Sequence, residues 1–379
     1  MSASEKLQTR CAIVGGGPAG MMAGYLLARA GVPVAVVEKH ADFNRDFRGD
    51  TIHPSTLELM HELGLLDEFL KQPHQEAREL RAVVNGQTVP VADFTKLPTR
   101  CKFIAFMPQW DFLNFLSSHA KRFPTFQLHM ETEVVDLLTE DSRVVGRADF
   151  QQREFGVPID VLWMRISKKE DDPEKSFGFF QHGKLLVLID RGDYWQGGFV
   201  IPKGQFDEIK ERGLAQFQSD IISFAGFLRD RVAELDDWSK IKLLTVQVNR
   251  LRDWCCEGLL CIGDSAHAMS PAGGVGINLA IQDAVATANL LAKKLQRGPV
   301  QVGDLRKVQA RREWPTRLIQ GMQVFIHRRV VTGQTSGEKG TSLQFVLRLL
   351  KWFPILRQIP ARFIGMGPRP EHFHSPTVS

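Results

Sequence analysis

The chain has 379 residues, 43% hydrophobic and 24% charged, the balance of an ordinary globular protein with room for one large domain or two interleaved ones. The net charge of +5 is unevenly spread: residues 291–379 hold 16 Lys and Arg against 4 Asp and Glu, so the remainder is acidic overall. Met1–Gln8 is polar and does not read as a signal peptide, no apolar run reaches the ~18 residues needed to span a bilayer, and five cysteines without C-x-x-C spacing argue against a disulfide framework or a cysteine metal site, so a cytoplasmic protein is expected.

Cys11–Val14 reads as a short buried strand. Gly15-Gly16-Gly17-Pro18-Ala19-Gly20 follows and fits G-x-G-x-x-G, with Gly15, Gly17 and Gly20 at the three glycine positions. Met21–Ala30 continues as an apolar helix ended by Gly31, and Val34–Val37 is a second strand closing on Glu38 and Lys39. Strand, glycine loop, helix, strand and acid stand in the order of a dinucleotide site, where the glycines allow a tight turn and close approach to a pyrophosphate. An acid after the second strand favours a ribose with free hydroxyls, hence FAD or NAD rather than NADP.

Phe43–Leu70 contains Arg45, Arg48, His53 and an amphipathic helix, Ser55–Leu63, stopped by Gly64. Glu79–Arg100 alternates around Asn85-Gly86, a hairpin signal. Gln109 and Trp110 introduce the helix Asp111–Lys121; Phe126–Met130 reads as a third strand and Glu133–Leu138, with Val135, as the next. Past Val144–Phe150 and polar Gln151–Glu154 come Ile159–Ile166, Lys184–Ile189 and Tyr194–Ile201, strands of a separate sheet. Phe206–Ala233 is expected to be helical with a break at Gly213, and Ile241–Asn249 to be another strand.

Leu259–Ile262 reads as a buried strand ending on Gly263-Asp264, which puts a carboxylate where ligands sit in open α/β sheets. Pro271, Gly273, Gly274 and Gly276 lead into the helical run Ile277–Lys294, whose opening N–H groups suit an anionic or oxygen-rich ligand. Gly303–Arg329 is expected to be helical with a break at Pro315, and Ser342–Ile364 mixes large apolar residues with Lys and Arg. The histidines show no metal-ligand spacing.

The glycine loop at Gly15–Gly20 together with Cys261–Ala284 resembles the FAD-dependent monooxygenases of the para-hydroxybenzoate hydroxylase type. The resemblance implies an α/β fold: a Rossmann-like FAD-binding domain over 1–155 and 255–379, an inserted mixed β-sheet substrate domain over 156–254 that parts of 79–108 join, and a helical C-terminal region. It implies non-covalent FAD, with Gly15, Gly17, Ala19 and Gly20 at the ADP half, Glu38 and Lys39 at the ribose, and the backbone at Val135 near the adenine. Arg48 and Gln109 would also meet the cofactor, Asp264 would hold the ribityl chain, and Pro271, Gly274, Gly276 and Ile277 would face the isoalloxazine.

The implied activity is oxygenation of a small aromatic or other organic substrate, with NAD(P)H as transient reductant and O₂ activated as a flavin C4a-hydroperoxide. Another FAD oxidoreductase of this fold is an alternative, though the W-x-W-x-I-P motif usual in halogenases is absent. A catalytically impaired FAD-binding protein is a second alternative. Relatives carry an Asp-Gly turn after the strand that begins near Val144, and this chain has no Asp-Gly dipeptide. No catalytic side chain is assigned; His53, Tyr194 and Trp195 are candidates for the pocket. No metal or nucleic acid is expected, the basic tail is expected to pack on the body in preference to touching a membrane, and no oligomeric state is assigned.

Overall fold

The computed structural model describes residues 8–44, 51–84, 87–136, 138–140, 143–145, 151–173, 176–181, 184–332 and 349–376. Cys11–Val14 (β1) and Val34–Val37 (β2) run parallel, joined through the helix Pro18–Arg29 (α1), as the alternation of apolar strand and apolar helix requires. Helix Gln109–Ala120 (α2) packs on α1, and Phe126–His129 (β3) adds to the free edge of β2, again in parallel. Gly24 lets α1 lie close on this sheet, because a Cβ there would come within 2.8 Å of Val36 and 3.0 Å of Phe126.

The second sheet has seven strands, in the order 242–244, 159–167, 194–202, 184–190, 177–181, 79–84, 87–93. Its central strands, Ile159–Ser167 (β4), Lys184–Asp190 (β5) and Tyr194–Pro202 (β6), are antiparallel and alternate their side chains between two faces. One face, with Leu162, Met164, Leu186, Leu188, Trp195 and Phe199, is covered by the helices Phe206–Glu211 and Leu214–Phe224. The other carries Val161, Trp163 and Ile189 against Val246, Val248, Phe106 and Val324. Gly198 lies across from Trp163, where a Cβ would sit 3.0 Å from the indole, so the glycine makes room for the ring.

Val275–Arg297 (α3) is mostly buried, and Val302–Thr332 (α4) packs along it. Among the described residues α3 is the one helix long and apolar enough to cross a membrane, with 83% of its apolar window buried inside the fold. The last helix, Gln358–Gly365 (α5), lies on the strand Gln87–Asp93.

Several local expectations fail for identifiable reasons. Residues 132–136 are irregular where a strand was expected; the chain instead turns back on itself, pairing Leu138–Glu140 with Arg143–Val145. Residues 137 and 146–150 lie outside the described residues, as does the Asn85-Gly86 turn, whose flanking residues Val84 and Gln87 do pair. At 259–262 only Leu259–Leu260 is strand, and it is half-buried; it pairs with Cys255–Cys256 around Gly258, whose φ of +81° permits the tight turn. Ile262 keeps its apolar role by packing beside Cys11 and Ile13.

The segment 241–249 leaves the sheet after Leu244, drawn away where Val246 N–H donates to Asp160 Oδ1 (3.1 Å), and strand resumes at Asn249–Leu251, paired with Gln152–Glu154. The helix beyond Gly213 gives way after Phe224 to short 3-10 turns. Helix α4 runs through Pro315 without a break, since proline removes one backbone N–H while packing on α3 holds both arms.

Candidate functional site

The glycine loop is shaped by two glycines and left open by the third. Gly15 has φ +100° and its N–H donates to Val37 O (2.8 Å), which ties the loop to the end of β2. A Cβ on Gly20 would lie 2.0 Å from Gly15 O, so only glycine lets α1 start this close to the turn. Gly17 differs: its backbone is extended (φ −72°, ψ −177°) and nothing lies within 4 Å of where a Cβ would be. Met21 N–H is the first amide to bond back, to Gly17 O, so the amides of Ala19 and Gly20 open the helix as donors for a ligand.

Glu38 closes on this loop. Its Oε2 accepts from Gly16 N–H (2.8 Å), and its Oε1 accepts from His40 N–H (3.2 Å) and meets His40 Nδ1. Burial works to raise its pKa, but the hydrogen bonds from His40 and Gly16 outweigh burial and hold the carboxyl below its ordinary value. Lys39 is exposed. Glu131 and Thr132 donate backbone bonds to His40 O and Glu38 O, which brings the following Val134 and Val135 alongside. Val14 (61% exposed) and Val135 (90%) leave apolar surface uncovered on this side of the sheet.

The second half-site meets the first at a single glycine. Gly263 (φ +60°) is wedged between α1 and α3: a Cβ would sit 3.0 Å from Ala19 Cβ and 3.2 Å from Ala280 Cβ. The Gly-Asp pair thus lies against the start of the glycine-loop helix, with Asp264 exposed to solvent next to it. Gly274, in the left-handed region, caps α3 and touches Thr51, whose Oγ1 would be 2.0 Å from any Cβ. Pro271 is exposed, Gly276 half-buried and Ile277 buried at the first turns of α3.

Two clusters absent from the sequence reading hold this arrangement. Asn278 accepts at Oδ1 from His53 N–H (2.9 Å) and Thr56 Oγ1 (2.8 Å) and donates from Nδ2 to Thr51 O (3.0 Å) and Gly274 O (3.1 Å), stitching 51–56 to the start of α3. Asp283, fully buried, accepts from Gly263 N–H (3.0 Å), His267 Nε2 (2.5 Å) and Arg312 Nε (3.1 Å). Burial works to raise the Asp283 pKa, but the charges of His267 and Arg312 with the bonds from His267 and Gly263 hold it below its ordinary value. Arg312 also binds Glu371 Oε1 (3.1 Å), and Arg311 grips the same carboxylate at 2.8 and 3.0 Å. The signal for both clusters was a polar residue inside an otherwise apolar, buried helix, which must find partners.

From α4, Gln320 Nε2 donates to Ala268 O (3.0 Å) and Gln323 Nε2 to Ser270 O (3.0 Å), fixing the backbone that leads to Pro271. Ser270 Oγ lies 3.2 Å from His327 Nε2, and burial pushes that histidine down to about 4.

The remaining candidates scatter. Gln109 opens α2 and is half-buried; Arg48 lies outside the described residues. His53 is buried: burial pushes it down to about 4, its Nδ1 donates to Ile364 O (2.8 Å), and it lines a small cavity together with Asn278, Gln282 and Arg312. Trp195 is buried on the helix-covered face of the second sheet, its Nε1 donating to Asp172 Oδ2 (2.8 Å), so it faces no pocket. Tyr194 is covered by the Arg165 guanidinium at 3.8 Å. Among the described residues no cluster of His, Cys, Asp and Glu fits a metal.

A family model described as FAD binding domain matches residues 8–161 and 142–313. The chain is similar to 6-methylpretetramide 4-monooxygenase of Streptomyces rimosus, 29% identical over 94% of this chain and 93% of that one. It is also similar to dialkyldecalin synthase of Streptomyces rugosporus, 26% identical over 75% of this chain and 65% of that one. The crystal structure of p-nitrophenol 4-monooxygenase from Pseudomonas putida DLL-E4, at 16% identity, shares the fold with a TM-score of 0.74 over 95% of this chain and 98% of that one.

Proposed function

The chain belongs to the FAD-binding domain family, and on that premise we propose that it is an FAD-dependent monooxygenase that uses NAD(P)H and O₂ to oxygenate a small aromatic or other organic substrate. The observation that carries the reading is the seat of Gly263 between Ala19 and Ala280, because it joins two motifs some 250 residues apart into one elongated site. A ligand with a phosphate end and a polyhydroxyl end would use both. The residues fit such a group: open space at Gly17, donor amides at the start of α1, an exposed carboxylate at Asp264, and uncovered apolar surface at Val14 and Val135.

FAD, when bound, supplies the redox chemistry; the chain supplies binding, orientation and exclusion of water. The Ala19 and Gly20 amides and the positive end of α1 bind the pyrophosphate. Glu38, flanked by Lys39, accepts from ribose hydroxyls, and Val135 borders the adenine. Asp264 accepts from the ribityl hydroxyls. Pro271, Gly274, Gly276 and Ile277 present the start of α3 to a polar ring edge, where the helix N-terminus favours negative charge. Gln109, half-buried at the start of α2, would add a further contact to the cofactor. The face of the seven-stranded sheet that carries Val161 and Trp163 is packed against Val246, Val248, Phe106 and Val324, an apolar layer that keeps water from that side of the sheet.

A second reading, an FAD-binding protein without oxygenase turnover, has two observations in its favour. One relative is named as a synthase rather than an oxygenase, and the Asp-Gly turn is absent from this chain. Anaerobic stopped-flow mixing of the FAD-loaded protein with NADH or NADPH separates the two. Bleaching of the flavin on the timescale of turnover supports the monooxygenase; a flavin that stays oxidised for many minutes supports the second reading.

A further inference from the structure

The C-terminal segment 349–365 is half anchor and half exposed. On the anchored side Leu350 and Ala361 are buried, Ala361 packs with Ala92, Phe94 and Leu97, and a Cβ on Gly365 would meet Leu97 at 2.7 Å. Arg357 closes the corner between residues 349–352 and α5 by donating to Leu350 O (2.8 Å) and Lys351 O (3.2 Å), which satisfies carbonyls at a helix end. The corner is therefore held in shape and pinned to the body.

Its outer side carries the most exposed apolar group among the described residues at this end of the chain: Trp352 (71%), Phe353 (52%), Ile355 (75%) and Ile359 (68%). Lys351 and Arg362 are exposed beside them, and Ile355, Ile359 and Arg362 follow one another at helical spacing. From residue 339 to residue 370 the sequence holds six Lys and Arg and no Asp or Glu. Large apolar side chains on this corner, in a stretch of sequence whose charged residues are all cations, match the chemistry of an anionic lipid surface, which takes aromatic and aliphatic groups at its boundary and attracts Lys and Arg.

We propose that this corner docks the protein peripherally on anionic membranes, with Trp352, Phe353, Ile355 and Ile359 entering the headgroup boundary. A second copy of the chain fits less well, because a two-fold contact would set the cations of one corner against the same cations of its mate. Nucleic acid fits less well too, since the aliphatic pair Ile355 and Ile359 offers neither stacking nor hydrogen bonds.

The test is co-sedimentation of the full-length protein with vesicles of phosphatidylcholine alone and of phosphatidylcholine with phosphatidylglycerol, at low and high salt. The protein is expected to sediment with the anionic vesicles, to do so less at high salt, and to stay in the supernatant with phosphatidylcholine alone. Trp352→Glu with Ile355→Glu should cut binding about tenfold or more, as loss of two inserting side chains requires, with melting temperature and flavin content unchanged. If that variant misfolds, Lys351→Glu with Arg362→Glu gives the same reading through the salt dependence. Equal sedimentation with both vesicle types, or full binding by both variants, overturns the proposal. So does a dimer that dissociates on Ile355→Glu, which would make the corner an interface between copies.

Discussion

At Asp264 the exposed carboxylate beside Gly263 has no structural task that its loss would unmask, so Asp264→Ala should leave the melting temperature near that of the parent while weakening FAD binding. A charged hydrogen bond contributes roughly 1.5–3 kcal/mol, which corresponds to about ten- to a hundred-fold in affinity by FAD titration. Asp283 should behave in the opposite way. Asp283→Asn leaves Arg312 and His267 buried beside a neutral group, and breaking one side of a buried ion cluster costs about 3–5 kcal/mol, read as a loss in urea unfolding. The contrast reflects what was legible: Gly15, Gly17, Gly20, Glu38, Gly263 and Asp264 stand in recognisable spacings, whereas Asp283, His267, Arg312 and Glu371 are far apart in the chain and meet only through packing. His53 and Trp195 illustrate the reverse. Both are residue types that often do chemistry; Trp195 turns out to be core, its one ring N–H satisfied by Asp172, and His53 is buried at the wall of a small cavity with Nδ1 bonded to Ile364 O.

Among elements, the βαβ unit was plain in the sequence because strand, helix and turn signals agreed within some thirty residues. The 132–136 stretch was not, since a strand needs a neighbouring edge and composition does not say whether one exists. The same logic explains Pro315: propensity argued for a break, and the long packed face on α3 overrode it. Asn278 is the joint between the 51–56 segment and α3, and sequence periodicity assigned it only to an apolar helix. Asn278→Ala would take their Asn278 partner from His53 N–H, Thr56 Oγ1 and Thr51 O, while Gly274 O keeps its bond from Thr51 Oγ1 (3.0 Å). With about 1–3 kcal/mol for each unsatisfied group and some relaxation, a total of about 3 kcal/mol is expected, measured as a shift of the denaturant midpoint at constant slope. A midpoint unchanged to within error would show that the stitch is not needed.

For the whole molecule, two buried histidines make acid stability a further check. His53 and His327 have pKa values pushed down to about 4, against 6.5 for an ordinary histidine. Between those values the unfolded chain binds more protons than the folded one, so stability falls as pH is lowered from about 6.5 to about 4 and is insensitive to both residues above that window. Each contributes a slope of up to about 1.4 kcal/mol per pH unit there. His53→Asn with His327→Asn should flatten the fall of urea stability between pH 6.5 and 4, and an equally steep profile in the double variant would remove these residues from the account. At this scale the presence of a second sheet, built from the chain between the two motifs, was legible from the order of strand and helix signals. That the two motifs form one site was implied by the resemblance they carry; the contact that joins them was not legible, because it depends on three small residues, Ala19, Gly263 and Ala280, meeting across the core.

The most direct measurement of that joined site is FAD titration of Gly17→Val beside the parent. The backbone at Gly17 is extended and nothing lies within 4 Å of a Cβ there, so the folded chain tolerates valine at a cost of about 1 kcal/mol for a poorer helix cap. The space the valine would fill is the space assigned to the pyrophosphate. The expected result is a parent that takes up FAD stoichiometrically and a folded Gly17→Val protein that takes up none; a folded variant that binds FAD as tightly as the parent would contradict the account.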